Sequence, residues 1–113
     1  MRGIGVDIVE FDRISRVFDN GKFVDKILSD KEKKVFTSIK NEKRKLEFLA
    51  GRWAAKEAIY KAAPDLCINK AFKDFSILNH ESGAPYLDEP LGSQIMITIS
   101  HSENYVVAFV VYT

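Results

Sequence analysis

The sequence has little that would indicate an exported or membrane-bound protein. Its 113 residues include one cysteine, Cys67, which cannot form an internal disulfide or supply a paired metal site. No apolar run approaches the ~18 residues of a membrane-spanning helix. The first residues reach an acidic side chain at Asp7 and lack the apolar stretch of a signal peptide. We therefore expect a protein of the reducing cytoplasm that does not enter a membrane.

An excess of charge of one sign is also missing. The formal net charge is +1 at pH 7, so the whole molecule is not a general binder of polyanions. Positive charge is concentrated in residues 31–45, which hold seven Lys and Arg against two Glu. This segment is typical of a solvated helical face, but it leaves open a small nucleic-acid-binding module. Phe36 is its only aromatic residue, which counts against that alternative.

Several common catalytic motifs are absent. Gly3-Ile4-Gly5 begins like a dinucleotide-binding fingerprint, but Ile8 occupies the third glycine position. The sequence contains no phosphate-binding loop, no paired-cysteine or HExxH metal motif, and no nucleophile elbow. These classes of enzyme are not favoured.

The first half of the chain predicts one strand followed by helices. Alternation around Ile4, Val6 and Ile8 predicts a strand over residues 3–9. The other predicted elements are a helix from Glu10 that ends at Asn20-Gly21, a helical turn over 23–28, a helix over 29–39 opened by a Ser29/Glu32 capping box, and a long helix from Asn41 to Pro64.

The second half predicts strands. The predicted elements are a strand marked by Phe72, Phe75 and Ile77, a turn at Ser82-Gly83, a half-buried strand over 95–100, a reversal at 101–104, and a strand over 105–112 that is covered on both faces. With 46% hydrophobic residues, the chain can bury a core within a single domain over 1–113. The expected fold class is α+β, with the N-terminal helices packed on a mainly antiparallel sheet that the first strand joins.

Two carboxylates lie in unusual positions. Asp7 lies within an apolar strand, and Glu57 lies inside the long helix at the border of its apolar stripe. Taken alone, Asp7 is typical of a turn residue, and Glu57 of a surface pair with Lys61. Taken together, they are the hard oxygen ligands that Mg²⁺ uses when substrate phosphates complete its coordination.

Basic residues near Glu57 favour a phosphate-binding site. Lys56 and Lys61 flank this carboxylate and Arg52 lies one turn earlier, so all three can neutralise phosphate oxygens. His101 fits either a surface turn or a further phosphate contact. These residues predict phosphoryl transfer but do not identify the reaction.

Three segments resemble the holo-[acyl carrier protein] synthases, a family of 4′-phosphopantetheinyl transferases: GIGVDIVEFDRI (3–14), EFLAGRWAAKEAIYKA (47–62) and ITISHSENY (97–105). The resemblance implies the fold of that family and a Mg²⁺-dependent reaction that supports fatty acid biosynthesis. In this reaction the 4′-phosphopantetheine arm of coenzyme A is moved onto a serine of an apo acyl carrier protein, and adenosine 3′,5′-bisphosphate leaves. The resemblance also implies a homotrimer with active sites between subunits.

The resemblance assigns catalytic roles to three residues. Asp7 and Glu57 match the magnesium ligands, with Mn²⁺ as an alternative ion, and Lys61 matches a lysine near the coenzyme A pyrophosphate. Either Glu57 or a metal-activated water near Asp7 can accept the serine proton, and the sequence does not choose between them.

Binding roles follow from the same resemblance. Lys43, Arg52 and His101 match residues that hold coenzyme A, together with Lys61. Arg13, extended by Arg16, matches the basic first helix that receives the acidic carrier protein.

Two segments depart from the family pattern. Residues 63–69 replace a glycine-rich turn, and Ala84 stands where a lysine is usual, so contacts with coenzyme A from these positions are not expected. An inactive scaffold subunit would show degraded site residues, whereas Asp7, Glu57 and Lys61 are all present. A transferase is therefore the preferred prediction.

Overall fold

The computed structural model describes residues 1–88 and 91–113 and has the predicted α+β architecture. Its strands and helices, in chain order, are β1 (Gly3–Glu10), α1 (Phe11–Ser15), α2 (Gly21–Ile27), α3 (Asp30–Ser38), α4 (Glu42–Ala62), β2 (Ile77–Asn79), β3 (Pro85–Leu87), β4 (Ile95–His101) and β5 (Tyr105–Tyr112). Single 3₁₀ turns lie at Pro64–Cys67, Phe72–Asp74 and Gly92–Gln94. Within these described ranges, every helix is too short or too polar to cross a bilayer.

The strands form two antiparallel sheets. The larger has the order β1-β5-β4, and its register places Asp7 opposite Ala108 and Ala108 opposite Ile99. Strands β2 and β3 pair separately, with Leu78 opposite Tyr86. The prediction that the first strand joins the C-terminal sheet is confirmed.

Helix α4 is the centre of the core. The Asn41 side chain caps it by accepting a hydrogen bond from the Arg44 amide at 3.0 Å, and the helix ends at Ala62, before Pro64. It is buried on most sides, and small residues such as Ala54 and Ala58 allow it to pack closely on β1 and β5.

Strand β1 crosses α4 at a distance that only glycine permits. A Cβ atom on Gly3 would lie 2.1 Å from the Ala62 carbonyl oxygen, and one on Gly5 would lie 2.1 Å from that of Ala58. Because the helix fills the inner side of the strand, the apolar residues of the alternating pattern lie on the outer side. Ile4, Val6 and Ile8 are 54%, 52% and 63% exposed.

The outer face of the sheet is apolar and open in the single chain. On β5, Val106, Ala108 and Val110 are buried, whereas Tyr105 and Phe109 are exposed. The prediction that this strand is covered on both faces is therefore wrong for one chain. The apolar run of β5 places apolar residues on both faces of the sheet, and no other element of the described chain covers the outer face.

The predicted end of the first helix is also wrong. Helix α1 stops at Ser15, and Asn20 begins α2 by accepting hydrogen bonds from the amides of Lys22 (2.9 Å) and Phe23 (3.3 Å). Asparagine serves at either end of a helix, and here its side-chain oxygen satisfies free amides at the start of one.

In the second half, the predicted strand around Phe72 is mostly irregular. The Asp74 carboxylate accepts a hydrogen bond from the Ala71 amide at 2.8 Å and holds a 3₁₀ turn, so β2 begins only at Ile77. The predicted turn at Ser82-Gly83 is confirmed, and Gly83 has a φ of +94° that favours glycine.

Candidate functional site

Asp7 lies on the inner side of β1, where the strand crosses α4. Gly3 packs on Ala62 and Gly5 on Ala58, so the strand and the helix run in opposite directions. Two strand residues rise about as far as four helix residues, which places Asp7 about level with Ala54, one turn before Ala58. The Asp7 side chain is 18% exposed.

Lys61 connects the helix to this strand. Its Nζ donates a hydrogen bond to the Val6 carbonyl oxygen at 3.0 Å and lies 3.3 Å from Asp7 Oδ1. Lys61 follows Glu57 by four residues, so both lie on the same face of α4. The structure thus brings Lys61 to Asp7, and Glu57 lies on the same face of α4 as Lys61.

Trp53 holds the Glu57 carboxylate from the other side. Its Nε1–H donates to Glu57 Oε1 at 3.1 Å, while Arg13 Cζ lies 5.1 Å from the centroid of the indole ring. Trp53 was not among the predicted site residues. The four-residue spacing between Trp53 and Glu57 was the signal that the two side chains meet.

The donor set fits a magnesium ion. The described residues contain no group of three or more His, Cys, Asp or Glu side chains that would hold a metal by themselves. Magnesium commonly takes one or two carboxylates and completes its octahedron with water and phosphate oxygens. Glu57 Oε2 has no hydrogen-bond partner among the described residues, which leaves it available as a ligand.

A cavity of about 450 Å³ lies between α4 and the strands, and two predicted site residues, Arg52 and His101, line it. Arg44 and Glu47, which were not predicted, also line it, whereas Asp7, Glu57 and Lys61 do not. His101 is the last residue of β4 rather than part of the following turn, and its Nδ1 lies 3.7 Å from Glu47 Oε2. Two arginines, Arg44 and Arg52, therefore border the cavity together with His101 and the Glu47 carboxylate.

Arg52 is buried and forms part of the lining of this cavity. Its Nε donates to the Ile77 carbonyl oxygen (3.1 Å), its Nη2 donates to Asn79 Oδ1 (2.5 Å), and its guanidinium packs on the ring of Phe48. Burial lowers the pKa of Arg52 to about 10, an effect that nearby Glu32 opposes, so the side chain stays charged at neutral pH. Nη1 has no partner among the described residues and is not buried, so it is available to contact a ligand.

Lys56 does not face the site, and the prediction that it neutralises phosphate is wrong. Its ammonium is fully buried, donates to the Ile27 carbonyl oxygen at 2.7 Å and pairs with Glu32. The Glu32 carboxylate also accepts the amides of Ser29 (2.9 Å) and Ile77 (2.8 Å). Burial lowers the pKa of Lys56, although Glu32 opposes this shift. Lys56 thus ties α2, α3 and β2 to the central helix.

The remaining predicted residues lie on the surface. Lys43 is exposed in the first turn of α4, and Arg13 and Arg16 are exposed at α1. Part of the basic segment 31–45 is already engaged within the chain. Lys31 pairs with Asp88, Lys33 pairs with Asp25 at 2.8 Å, and Lys45 lies over the ring of Phe36.

Comparison with known proteins identifies the family of the chain. The sequence pattern of the 4′-phosphopantetheinyl transferase superfamily matches residues 3–110. The chain belongs to this superfamily. A Geobacillus protein (strain WCH70) named holo-[acyl-carrier-protein] synthase is 44% identical over 112 residues, which cover 96% of this chain and 93% of that protein.

Solved structures of the superfamily share the fold. The holo-(acyl-carrier-protein) synthase of Bacillus anthracis strain Ames, in complex with CoA (3′,5′-ADP), has a TM-score of 0.81 and 36% identity over 98% of this chain and 95% of its own. The Helicobacter pylori enzyme in complex with coenzyme A has a TM-score of 0.75 and 25% identity, with 97% and 99% coverage. The predicted family and fold are confirmed.

Proposed function

We propose that this chain, as one transferase domain, moves the 4′-phosphopantetheine group of coenzyme A onto a serine of an apo acyl carrier protein. Adenosine 3′,5′-bisphosphate is the other product. The observation that carries the proposal is the contact of Lys61 with Asp7 where β1 crosses α4, with Glu57 on the same face of the helix as Lys61. Relatives that bear the name of this enzyme match nearly the whole chain.

In this proposal Asp7 and Glu57 hold Mg²⁺, or Mn²⁺ in its place. When bound there, the ion would neutralise negative charge on the coenzyme A diphosphate and so ease departure of the bisphosphate. Lys61, held by Val6 and Asp7, stabilises or protonates the phosphate oxygen that leaves. Glu57, or a water hydrogen bonded to it, accepts the proton of the attacking serine hydroxyl.

The cavity lined by Arg52 and His101 is proposed to hold another part of coenzyme A, and Lys43, exposed in the first turn of α4 next to Arg44, is proposed to contribute to this binding. Arg52 Nη1 and the imidazole of His101 supply donors to phosphate oxygens. Because Arg52 is fixed by Ile77 and Asn79, it presents this donor at little cost in side-chain entropy.

A homotrimer with sites between subunits is proposed from two observations. Arg52 and Glu57 are five residues apart on α4, so their side chains leave the helix about 140° apart. The cavity and the carboxylates of one chain therefore face different directions. The exposed row of Ile4, Val6 and Ile8 offers an apolar surface for a neighbouring chain. Size-exclusion chromatography with light scattering would give the mass of three chains, and a monomeric mass at working concentration would contradict this arrangement.

The carrier protein is proposed to dock on Arg13 and Arg16. Both side chains are exposed at α1, and Arg13 lies above Trp53, which contacts Glu57. Acyl carrier proteins are acidic, so opposite charge speeds the encounter and orients the serine.

The decisive experiment is intact-mass spectrometry of an apo acyl carrier protein after incubation with this protein, coenzyme A and Mg²⁺. We expect a gain of one phosphopantetheine that is abolished by EDTA and by Asp7→Asn or Glu57→Gln. Glu81→Gln, which alters an exposed carboxylate in the β2–β3 turn, is the matched control and should leave transfer unchanged. Failure of the wild type with several carrier proteins, or near-normal turnover of Glu57→Gln, would overturn the assignment.

A further inference from the structure

Trp53 is held in one orientation between α1, α2 and the Glu57 carboxylate. The edge of Phe23 meets the indole ring at a centroid distance of 5.1 Å and an interplanar angle of 62°. The guanidinium of Arg13 lies over the ring, 5.1 Å from its centroid. These two contacts restrict rotation of the ring and therefore fix the direction in which its N–H points.

That N–H points at Glu57. Trp53 Nε1 lies 3.1 Å from Glu57 Oε1, and within residues 1–88 and 91–113 the structure gives this carboxylate no other hydrogen bond or ion pair. Lys61, one turn further along the helix, is directed to Val6 and Asp7 instead. Without Trp53, the half-buried Glu57 side chain would sample several rotamers.

We propose that Trp53 is a positioning residue, whose indole N–H holds Glu57 so that its second oxygen is directed to the divalent cation. This inference rests on the proposed function, in which Glu57 is a metal ligand. Hydrogen-bond partners of metal ligands commonly change metal affinity by about 10–100-fold when they are removed.

The test compares Trp53→Phe, which keeps an aromatic ring but removes the donor, with Tyr60→Phe. The control also removes one side-chain donor from an aromatic residue of α4, because the Tyr60 hydroxyl donates to the Lys70 carbonyl oxygen at 2.7 Å. Binding of Mn²⁺ to the protein with coenzyme A is measured by electron paramagnetic resonance of the free ion. We expect Trp53→Phe to raise the Mn²⁺ dissociation constant by about tenfold or more. Tyr60→Phe should leave it within about twofold, because its hydroxyl is directed away from the metal ligands.

A kinetic measurement separates positioning from general damage. For Trp53→Phe the Mg²⁺ concentration at half-maximal rate should rise in parallel with the Mn²⁺ dissociation constant. The KM for carrier protein and kcat at saturating Mg²⁺ should remain near the wild-type values, because the metal ligands themselves are intact. A loss of kcat that excess Mg²⁺ does not restore would overturn the positioning role.

A second variant preserves the shape of the ring. Trp53 is the single tryptophan of the chain, so growth on β-(3-benzothienyl)alanine replaces only its N–H, by sulfur. This variant decides the question if Trp53→Phe does not fold, and we expect it to show the same loss of Mn²⁺ affinity. Unchanged affinity in the sulfur variant would overturn the inference. The wild-type mass assay decides the proposed function separately, since the comparison of Mn²⁺ affinities does not depend on turnover.

Discussion

The ammonium of Lys56 and the carboxylate of Glu32 form an ion pair in the core, with neither side chain exposed to solvent. Removal of one partner leaves a buried charge without its counterion, which is strongly destabilising. We predict that Lys56→Met lowers the free energy of unfolding by about 3–5 kcal/mol. Urea denaturation followed by far-ultraviolet circular dichroism measures this change.

The control for this pair is the double variant Lys56→Met/Glu32→Gln. Glutamine carries no charge and keeps an acceptor for one of the two amides of Ser29 and Ile77, which donate to different oxygens of Glu32. The double variant should therefore be more stable than the single variant, and equal stability of the two would show that the charge is not the cause.

Gly5 is predicted to be intolerant of any side chain. A Cβ at this position would lie 2.1 Å from the Ala58 carbonyl oxygen, which belongs to the backbone of α4 and cannot rotate away. Gly5→Ala should destabilise the protein by at least about 2 kcal/mol. Gly21→Ala is the matched control, because nothing lies within 4 Å of a Cβ there. Thermal denaturation should show a lower Tm for Gly5→Ala alone.

Lys61 is predicted to act on the rate rather than on carrier-protein binding. Loss of one group that stabilises transition-state charge commonly costs on the order of 10²–10³ in kcat, so we expect a loss of this size for Lys61→Met. Lys70→Met, which neutralises an exposed lysine away from Asp7, is the control. Initial rates from the mass assay measure both variants, and a change confined to the KM for carrier protein would contradict the assignment.

Arg16 provides the cleaner test of the docking surface, because Arg13 also packs on Trp53. We predict that Arg16→Glu raises the KM for carrier protein by about tenfold at low salt and leaves coenzyme A binding unchanged. Lys34→Glu makes the same charge change at an exposed position on α3 and serves as the control. Equal effects of the two variants would indicate a response to total charge rather than docking.

The Cys67 thiol is predicted to react slowly. Burial, with a smaller effect of Asp65, raises the pKa of Cys67, so the reactive thiolate is scarcer at pH 8 than for an exposed cysteine. Labelling with Ellman's reagent at pH 8 should therefore be much slower than labelling of glutathione and should become rapid in urea. Fast labelling of the native protein would show that the Pro64–Cys67 turn opens readily.

Elements with local signals could be predicted from the sequence. The capping box of Ser29 and Glu32 and the Asn41 cap act within one helical turn, and α3 and α4 begin where these residues indicate. Asn20 was misassigned because its residue type suits both ends of a helix. The three segments 3–14, 47–62 and 97–105 were sufficient to identify the family, because their order and spacing extend over most of the chain.

Features that depend on distant partners could not be predicted. Lys56 lies next to Glu57 in sequence, and only the positions of Ile27 and Glu32 show that its side chain points inward. The same applies to Arg52, whose acceptors come from β2. The pattern of β5 correctly indicated apolar residues on both faces of the strand. The sequence did not reveal that one of these faces is exposed in the single chain.

Strand β1 carries different surfaces on its two sides. Asp7 points towards α4, while its immediate neighbours Val6 and Ile8 point outwards. Adjacent residues of a strand move together. A neighbouring chain that packs on Val6 and Ile8 therefore also fixes the position of the Asp7 carboxylate relative to α4. Dilution that dissociates such an assembly would remove this support from the strand. Metal binding would therefore weaken over the same range of protein concentration in which the chains separate, so quaternary structure and metal affinity would be thermodynamically linked.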